Sequence, residues 1–460
     1  MRRVLALSLL LLPLLVPNTS NAREAQATAK SATADPMPPP PGWLDALDAL
    51  YDAQIRVEGL EDRAFSPEHW WDVAGPLATR VRGFHTEEIG RSAEGRPLRH
   101  VSWGDGDTRV LLWSQMHGDE STASMALDDL FRFLGEHPDH PIVQRLHQRT
   151  TLHFLPVMNP DGAARFQRRN AQGIDINRDA RALASPEARA LHDLRERVKP
   201  AFGFNLHDQQ PGYRVGDSDR GAAIALLAPA YNEAREVNAS RARAIEVAVA
   251  IRGVLEPYIG GHIAKWDDTF NPRAFGDLTA KAGVSTILIE SGGIEGDPQK
   301  QRLRKLNFLA LVGALDAIAT GSHAGLPPAR YDELPENGKV WPDLRITGGT
   351  LALPEQPQAK VDLLIDFQRP LLERGGTIAG IGDLGDTRAR RTIDASGLYI
   401  VPFDPPGADA RPDRRTLAPD MPAYFHLSRD AQGRDVVWTL AGDVDPAKPG
   451  PSGTQSSRAH

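Results

Sequence analysis

Residues 110–134 read VLLWSQMHGDESTASMALDDLFRFL, and this stretch sets the frame for the rest of the chain. Val110 to Ser114 is a short, nearly continuous apolar run, the pattern of a strand buried on both faces. Thr122 to Leu134 carries apolar residues at helical spacing. Between them stands His117-Gly118-Asp119-Glu120. A His and a Glu separated by two residues, in a turn at the end of a strand, can both face one metal ion, and their nitrogen and oxygen donors suit zinc. The spacing alone is common by chance and gains weight only from what surrounds it.

Outward from this unit the same alternation repeats. Strands are expected at Thr151 to Val157, Phe202 to Leu206 and Val284 to Ile289. Helices are expected at Pro186 to Val198, where Pro opens the first turn, at Ala230 to Leu255 and at Lys300 to Ala319. Trp43 to Ile55 has helical spacing and opens the folded part. Strands that are apolar on both faces, alternating with helices, predict an α/β fold with a central mixed, mostly parallel sheet flanked by helices. Near Gly321 the pattern changes. Past Leu326-Pro327-Pro328 come short β-like runs at Leu344 to Leu353, Lys360 to Phe367, Thr377 to Ile381, Ala389 to Pro402 and Ala423 to Leu427, separated by Gly and Asp turns. They predict a small all-β domain, a β-sandwich over 330–443. Residues 444–460 are Pro-, Gly- and Ser-rich and read as a disordered tail.

The first 22 residues read as an address. Met1-Arg2-Arg3 is a short basic start, and Val4 to Val16 is an apolar run shorter than the roughly 20 residues of a membrane span. Ser20-Asn21-Ala22 fits a small-x-small cleavage site, which predicts a signal peptide over 1–22 cut after Ala22 and a periplasmic or secreted protein without stable membrane insertion. Residues 23–42, ending in four prolines, form a linker. The chain of 460 residues is 41% hydrophobic and 25% charged, with a net charge of −7. That balance fits a soluble globular protein, and the lack of a basic excess argues against a nucleic-acid partner. With no Cys, disulfides, thiolate catalysis and Cys-based metal sites are excluded, so a metal must rest on His, Asp and Glu.

Further chemistry-bearing residues sit at the ends of other strands. His207 closes Phe202–Leu206, and Glu290 closes the most apolar strand of the chain, in Thr286-Ile287-Leu288-Ile289-Glu290-Ser291-Gly292-Gly293. Carboxyl ends of strands are where open α/β sheets place their sites. A carboxylate there, beside a metal-bound water, can act as a general base. Asn159-Pro160-Asp161-Gly162 by itself reads as a turn. Arg168 can stabilise an oxyanion, and Arg178 beside Asn177 can clamp a carboxylate.

Taken together these pieces resemble the zinc carboxypeptidase family, the carboxypeptidase A-like metallopeptidases. The resemblance runs from about Glu87 to Gly293. It rests on Ile89-Gly90-Arg91-Ser92-Ala93-Glu94-Gly95-Arg96-Pro97, His117-Gly118-Asp119-Glu120, Asn159-Pro160-Asp161-Gly162, Arg168-Arg169-Asn170, Gly173-Ile174-Asp175-Ile176-Asn177-Arg178-Asp179, His207 and Glu290, in that order. It implies a catalytic domain over 43–322 with one Zn2+ per chain on His117, Glu120 and His207. It implies Glu290 as general base, Arg168 as the oxyanion partner, Asn177 and Arg178 on the substrate's terminal carboxylate, and Asp175 as the acceptor that orients His117. The implied activity is that of an exported zinc metallocarboxypeptidase acting on a peptide, or another amide, with a free carboxylate. Two other readings stand beside it: a zinc amidase of the same family acting on cell-wall peptides or N-acyl amino acids, and a catalytically silent binding module. The sequence departs from the family in two places. A mobile Tyr that many members carry about twenty residues before the base is missing from Trp266 to Gly276, leaving Arg273, Tyr213 or Tyr258 to cover the substrate. Asp119 stands where digestive-type members carry an Arg.

Overall fold

The computed structural model describes residues 42–81, 83–338, 340–369, 374–404 and 415–441. The signal peptide, nearly all of the linker and the C-terminal tail expected from sequence lie outside the described residues.

The chain enters through α1 (Trp43–Leu50), which runs into a π-helical turn at Tyr51–Ile55, and then α2 (Pro67–Arg80). Ser66 starts α2 by accepting a hydrogen bond from the His69 backbone N–H at 3.1 Å, with Pro67 in the first turn. A hairpin follows, β1 (Phe84–Arg91) and β2 (Pro97–Trp103), and then β3 (Thr108–Ser114), α3 (Thr122–Glu136), α4 (Pro141–Arg149) and β4 (Thr150–Leu155). After α5 (Pro160–Ala164) and a 3-10 turn at Ile176–Arg178 come α6 (Pro186–Val198), β5 (Phe202–Asp208), β6 (Ile224–Leu227), α7 (Ala239–Ile259), β7 (Ile263–Lys265), α8 (Phe275–Lys281), β8 (Ser285–Ser291), α9 (Gln301–Thr320) and α10 (Ala329–Asp332).

The eight strands form one mixed sheet in the order β1-β2-β4-β3-β5-β8-β6-β7. Its centre, β4-β3-β5-β8, is parallel, and the hairpin β1-β2 and the strand β6 join it antiparallel. Alternate residues of β3 feed two cores. Val110 and Leu112 pack with Leu127 and Leu130 of α3 and with apolar residues of α7 and α9. Leu111 and Trp113 pack with Leu191 and Leu194 of α6 and with Phe275 of α8. Helices therefore cover both faces, as an α/β sheet whose strands are apolar on both sides requires.

The helix expected from Ala230 begins only at Ala239. Asn232 accepts from the Glu236 backbone N–H, Arg235 takes a left-handed backbone with φ 55, and Asn238 caps α7 through the Arg241 N–H at 2.9 Å. Alanine content suggested helix there, and the two asparagines set a turn and a cap instead.

Past α10 the chain builds a second sheet from β9 (Leu344–Leu351), β10 (Ala359–Arg369), β11 (Arg374–Gly382), β12 (Arg391–Asp394), β13 (Tyr399–Pro402), β14 (Phe425–Ser428) and β15 (Val436–Leu440). The order is β11-β10-β9-β13-β14-β15, with β12 also on β9. It has its own core, including Ile346, Ile365, Ile378, Ile400, Phe425 and Leu427. The strands belong to one hydrogen-bonded sheet that curls on itself: the Ala423 N–H bonds the Gly376 carbonyl at 2.7 Å, bringing the approach to β14 against β11. No helix among the described residues is long and apolar enough to cross a membrane.

Candidate metal centre and substrate cleft

The turn after β3 is shaped by close packing. Gln115 has a positive φ of 53, and its amide donates to the Gly118 carbonyl at 3.0 Å. A Cβ on Gly118 would lie 2.0 Å from the Gly162 carbonyl carbon, so only glycine lets this turn rest on α5. Asn159, at the start of α5, donates to the carbonyls of Met116 and Arg168. The Asn159-Pro160-Asp161-Gly162 turn is thus a brace for the turn that carries His117 and Glu120. Asp161 extends it outward, accepting from Ser92 Oγ at 2.7 Å and from Arg96 at 2.8 Å in the hairpin turn between β1 and β2.

Braced in this way, His117 and Glu120 meet His207 from the end of β5. Glu120 Oε1 lies 2.7 Å from His117 Nδ1, and Oε2 lies 2.7 Å from His207 Nδ1. The two rings are 4.9 Å apart between centroids, and all three side chains are buried. One donor atom from each falls within 4.8 Å of the others. Asp175 Oδ1 sits 3.2 Å from the other nitrogen of His117, so a neutral His117 can donate there and turn its Nδ1 lone pair toward a cation. Two imidazole nitrogens and a carboxylate converging on one buried point fit a zinc ion with one side left open.

Glu290 reaches the same point from β8. In the parallel pairing of β5 and β8, His207 stands directly beside Glu290, and Ala225 of β6 stands beside Glu290 on its other side. Glu290 Oε2 is buried with no hydrogen-bond partner among the described residues. Burial, with Glu120 and Asp208 nearby, pushes its carboxyl well above the usual carboxylate range. Asp175 moves the other way: despite its burial, His117 and Arg168 hold it below that range. Arg168 gives Asp175 Oδ2 two hydrogen bonds, at 3.1 and 3.0 Å, and its Nη1 lies 3.3 Å from Glu120 Oε1.

Arg168, Asn177, Arg178 and Glu290 line one cleft of about 1000 Å³ with His117 and Glu120. Asn177 Oδ1 accepts from the Phe275 N–H at 3.0 Å, which ties the 3-10 turn to the start of α8. Of the candidates to cover the substrate, Tyr213 and Arg273 line the cleft. Tyr258 instead packs against the main core, with Asp48 acting on its hydroxyl.

No local pattern in the sequence marks the cluster beneath the centre. Asp208, next to His207, accepts from Thr122 Oγ1 at 2.7 Å, from buried Lys300 at 3.0 Å and from Arg63 at 3.4 Å. Lys300 also donates to the Ser291 carbonyl at 2.8 Å, so one ammonium ties the strand end that carries His207 to the one that carries Glu290.

Residues 77–208 match the sequence profile of the zinc carboxypeptidase family. That stretch is similar to the family, which is zinc-dependent. An uncharacterised protein of Zymomonas mobilis is 26% identical over 150 residues, covering 32% of this chain and 39% of its own length. The human carboxypeptidase N catalytic chain is 36% identical over 113 residues, covering 20% of this chain and 24% of its own. The chain thus spans well under half the length of either relative. Among solved structures, a metallo-carboxypeptidase from Burkholderia cenocepacia superposes with a TM-score of 0.45 at 21% identity, over 56% of this chain and 70% of that one.

Proposed function

We propose that the chain is an exported zinc metallocarboxypeptidase that hydrolyses the C-terminal peptide bond of a peptide. The observation that carries this reading is the pairing of His207 with Glu290 across β5 and β8, which sets a carboxylate oxygen with no partner among the described residues beside the His117–Glu120–His207 group. The arginines Arg168 and Arg178 line the same cleft. Bound zinc supplies a Lewis acid and a water of lowered pKa.

The chain's own residues do the rest. Asn177, through its amide nitrogen, and Arg178 hold the terminal carboxylate and so fix which peptide bond lies at the centre. Arg168 donates hydrogen bonds to the carbonyl oxygen as negative charge gathers there. Asp175 fixes the orientation of both Arg168 and His117. Glu290 takes one proton from the attacking water as its oxygen bonds to the carbonyl carbon. It returns that proton to the amide nitrogen as the C–N bond breaks. The products are a shortened peptide with a new carboxylate and a free amino acid.

The test is a panel of peptides with varied C-termini, incubated with the mature chain, with and without a zinc chelator, and read by mass. Chelator-sensitive release of single C-terminal residues is the expected result. Absence of release by protein that holds one zinc per chain would move the substrate to cell-wall peptides or acylated amino acids.

A further inference from the structure

We propose that a second cleft, between loops of the first sheet and the loop that joins β11 to β12, is a binding site for a phosphate ester, with Arg220, Arg302 and Arg388 as the residues that hold the phosphate. The proposal is independent of the peptide-cleaving reading above.

This cleft measures about 1110 Å³ and shares no lining residue with the one around His117 and Glu290. Three segments wall it: the turn at 219–221 ahead of β6, the stretch at 293–302 that leads into α9, and the stretch at 385–392 that leads into β12. Each contributes one of the three arginines.

The arginines are held in place by the chain itself. Arg345 on β9 donates through Nη1 to the carbonyls of Leu384, Gly385 and Thr387, at 3.3, 2.8 and 2.7 Å, and so fixes the loop before β12. Arg388 Nη1 donates to the Asp219 carbonyl at 2.9 Å, which joins that loop to the 219–221 turn. Its guanidinium lies over the Trp341 ring, 4.4 Å from the centroid. Arg220 packs on the turn before β7: a Cβ on Gly261, whose φ is 81, would come 2.3 Å from Arg220 Nη1. Glycine gives the guanidinium its room there. Arg302 stands in the first turn of α9, where Asp297 accepts the N–H groups of Gln301, Arg302 and Leu303 at 2.7, 2.9 and 3.1 Å.

The donors are left over. The guanidinium groups of Arg220 and Arg302 have no hydrogen bond or ion pair among the described residues. In this they differ from Arg96, Arg241 and Arg304, which each meet a carboxylate. Six arginines line the cleft against four carboxylates, in a chain of net charge −7. Of those carboxylates, Asp297 is taken up by the start of α9, and Asp219, Glu295 and Asp386 are exposed. A guanidinium presents paired N–H groups that match two oxygens of a phosphate, and a tetrahedral phosphate can accept such pairs from several directions at once. A bare phosphate fills only a small part of this volume. Tyr258, Ile259, Ile294 and Pro211 add apolar surface, so the cleft suits a phosphate attached to an organic body.

The test is calorimetric titration of the zinc-loaded full chain with phenyl phosphate, inorganic phosphate and benzoate. We expect phenyl phosphate to bind about fivefold or more tighter than either of the others. Arg220→Gln and Arg302→Gln should each weaken its binding by about tenfold, with the urea midpoint unchanged because both side chains are exposed. Arg178→Gln, in the other cleft, should leave it as in the wild type. Sedimentation with phosphatidylglycerol vesicles, against phosphatidylcholine vesicles, separates the sources of the ester. Capture that Arg220→Gln and Arg302→Gln abolish upholds the site and makes its ligand a lipid headgroup, while calorimetric binding without capture upholds it with a soluble ligand. Phenyl phosphate bound no tighter than benzoate would overturn the proposal. Binding lost in Arg178→Gln and kept in Arg220→Gln and Arg302→Gln would place the anion in the other cleft and overturn it as well.

Discussion

Asp175 serves two functional groups at once. One oxygen faces His117 Nε2 and the other takes two hydrogen bonds from Arg168. Replacing it with Asn keeps the shape but removes the charge that holds both partners. Asp175→Asn should weaken zinc binding by about 10- to 100-fold, measured by competition with a calibrated chelator. An unchanged affinity would show that His117 needs no such acceptor. At this scale the sequence was partly legible. His117, Glu120, His207 and Glu290 stood out because a strand's end and a short spacing are local features. Lys300 and Asp208 did not, because their meeting joins positions 92 residues apart and depends on how α9 packs beneath β5.

Among the elements, α3 and α9 meet through a buried ion pair. Asp129 Oδ1 and Oδ2 accept from Arg304 at 2.6 and 2.7 Å, while Tyr51 and the Val57 N–H also bind the carboxylate. Its neighbour Asp128 has neither oxygen hydrogen-bonded among the described residues, and burial, with Asp129 beside it, pushes its carboxyl from 3.8 up to about 8. The folded chain therefore keeps a proton on Asp128 that the unfolded chain has already lost. Between about pH 4 and pH 8 the unfolded state binds fewer protons, so this group lowers stability as pH rises, by up to about 1.4 kcal/mol per pH unit. Asp128→Asn should flatten the fall in urea midpoint over that window and be more stable than wild type at pH 8. A variant with the same pH slope would contradict this. The alternation around β3 and α3 was readable because buried strands and amphipathic helices differ in period. Helix α2 was not read, since its start depends on a Ser66 cap in a polar stretch. Strands β6 and β7, of four and three residues, are too short to show a period.

At the scale of the whole molecule, the segment leading to the second sheet is also part of the cleft's support. Gly338 donates to the Arg214 carbonyl at 2.7 Å, Trp341 to Gly212 at 2.9 Å and Asn337 to Lys265 at 3.0 Å. Asn337 Nδ2 donates to Gln209 Oε1 at 2.7 Å, and Gln209 lines the cleft. The segment thus pins the loop that carries Tyr213, whose ring packs edge-on to Trp266 at 5.4 Å. Gly338 leaves no room for a side chain: a Cβ there would lie 1.7 Å from the Gly216 carbonyl oxygen. Gly338→Ala should cost about 1–3 kcal/mol of stability, seen as a lower urea midpoint, with zinc per folded chain unchanged. An unchanged midpoint would mean that the segment is not held as described. The composition change near Gly321 was visible in sequence, but a segment bonded to both the 212–216 loop and Lys265 was not, because backbone pairing at long range leaves no local pattern. In the proposed function, Glu290 does chemistry at a metal held by His117, Glu120 and His207. The most direct test compares the wild type with Glu290→Gln, measuring bound zinc and release of C-terminal residues on the same samples. We predict one zinc per chain in both proteins and release by the wild type alone. A Glu290→Gln protein that releases residues at near wild-type rate, with its zinc in place, would contradict the account.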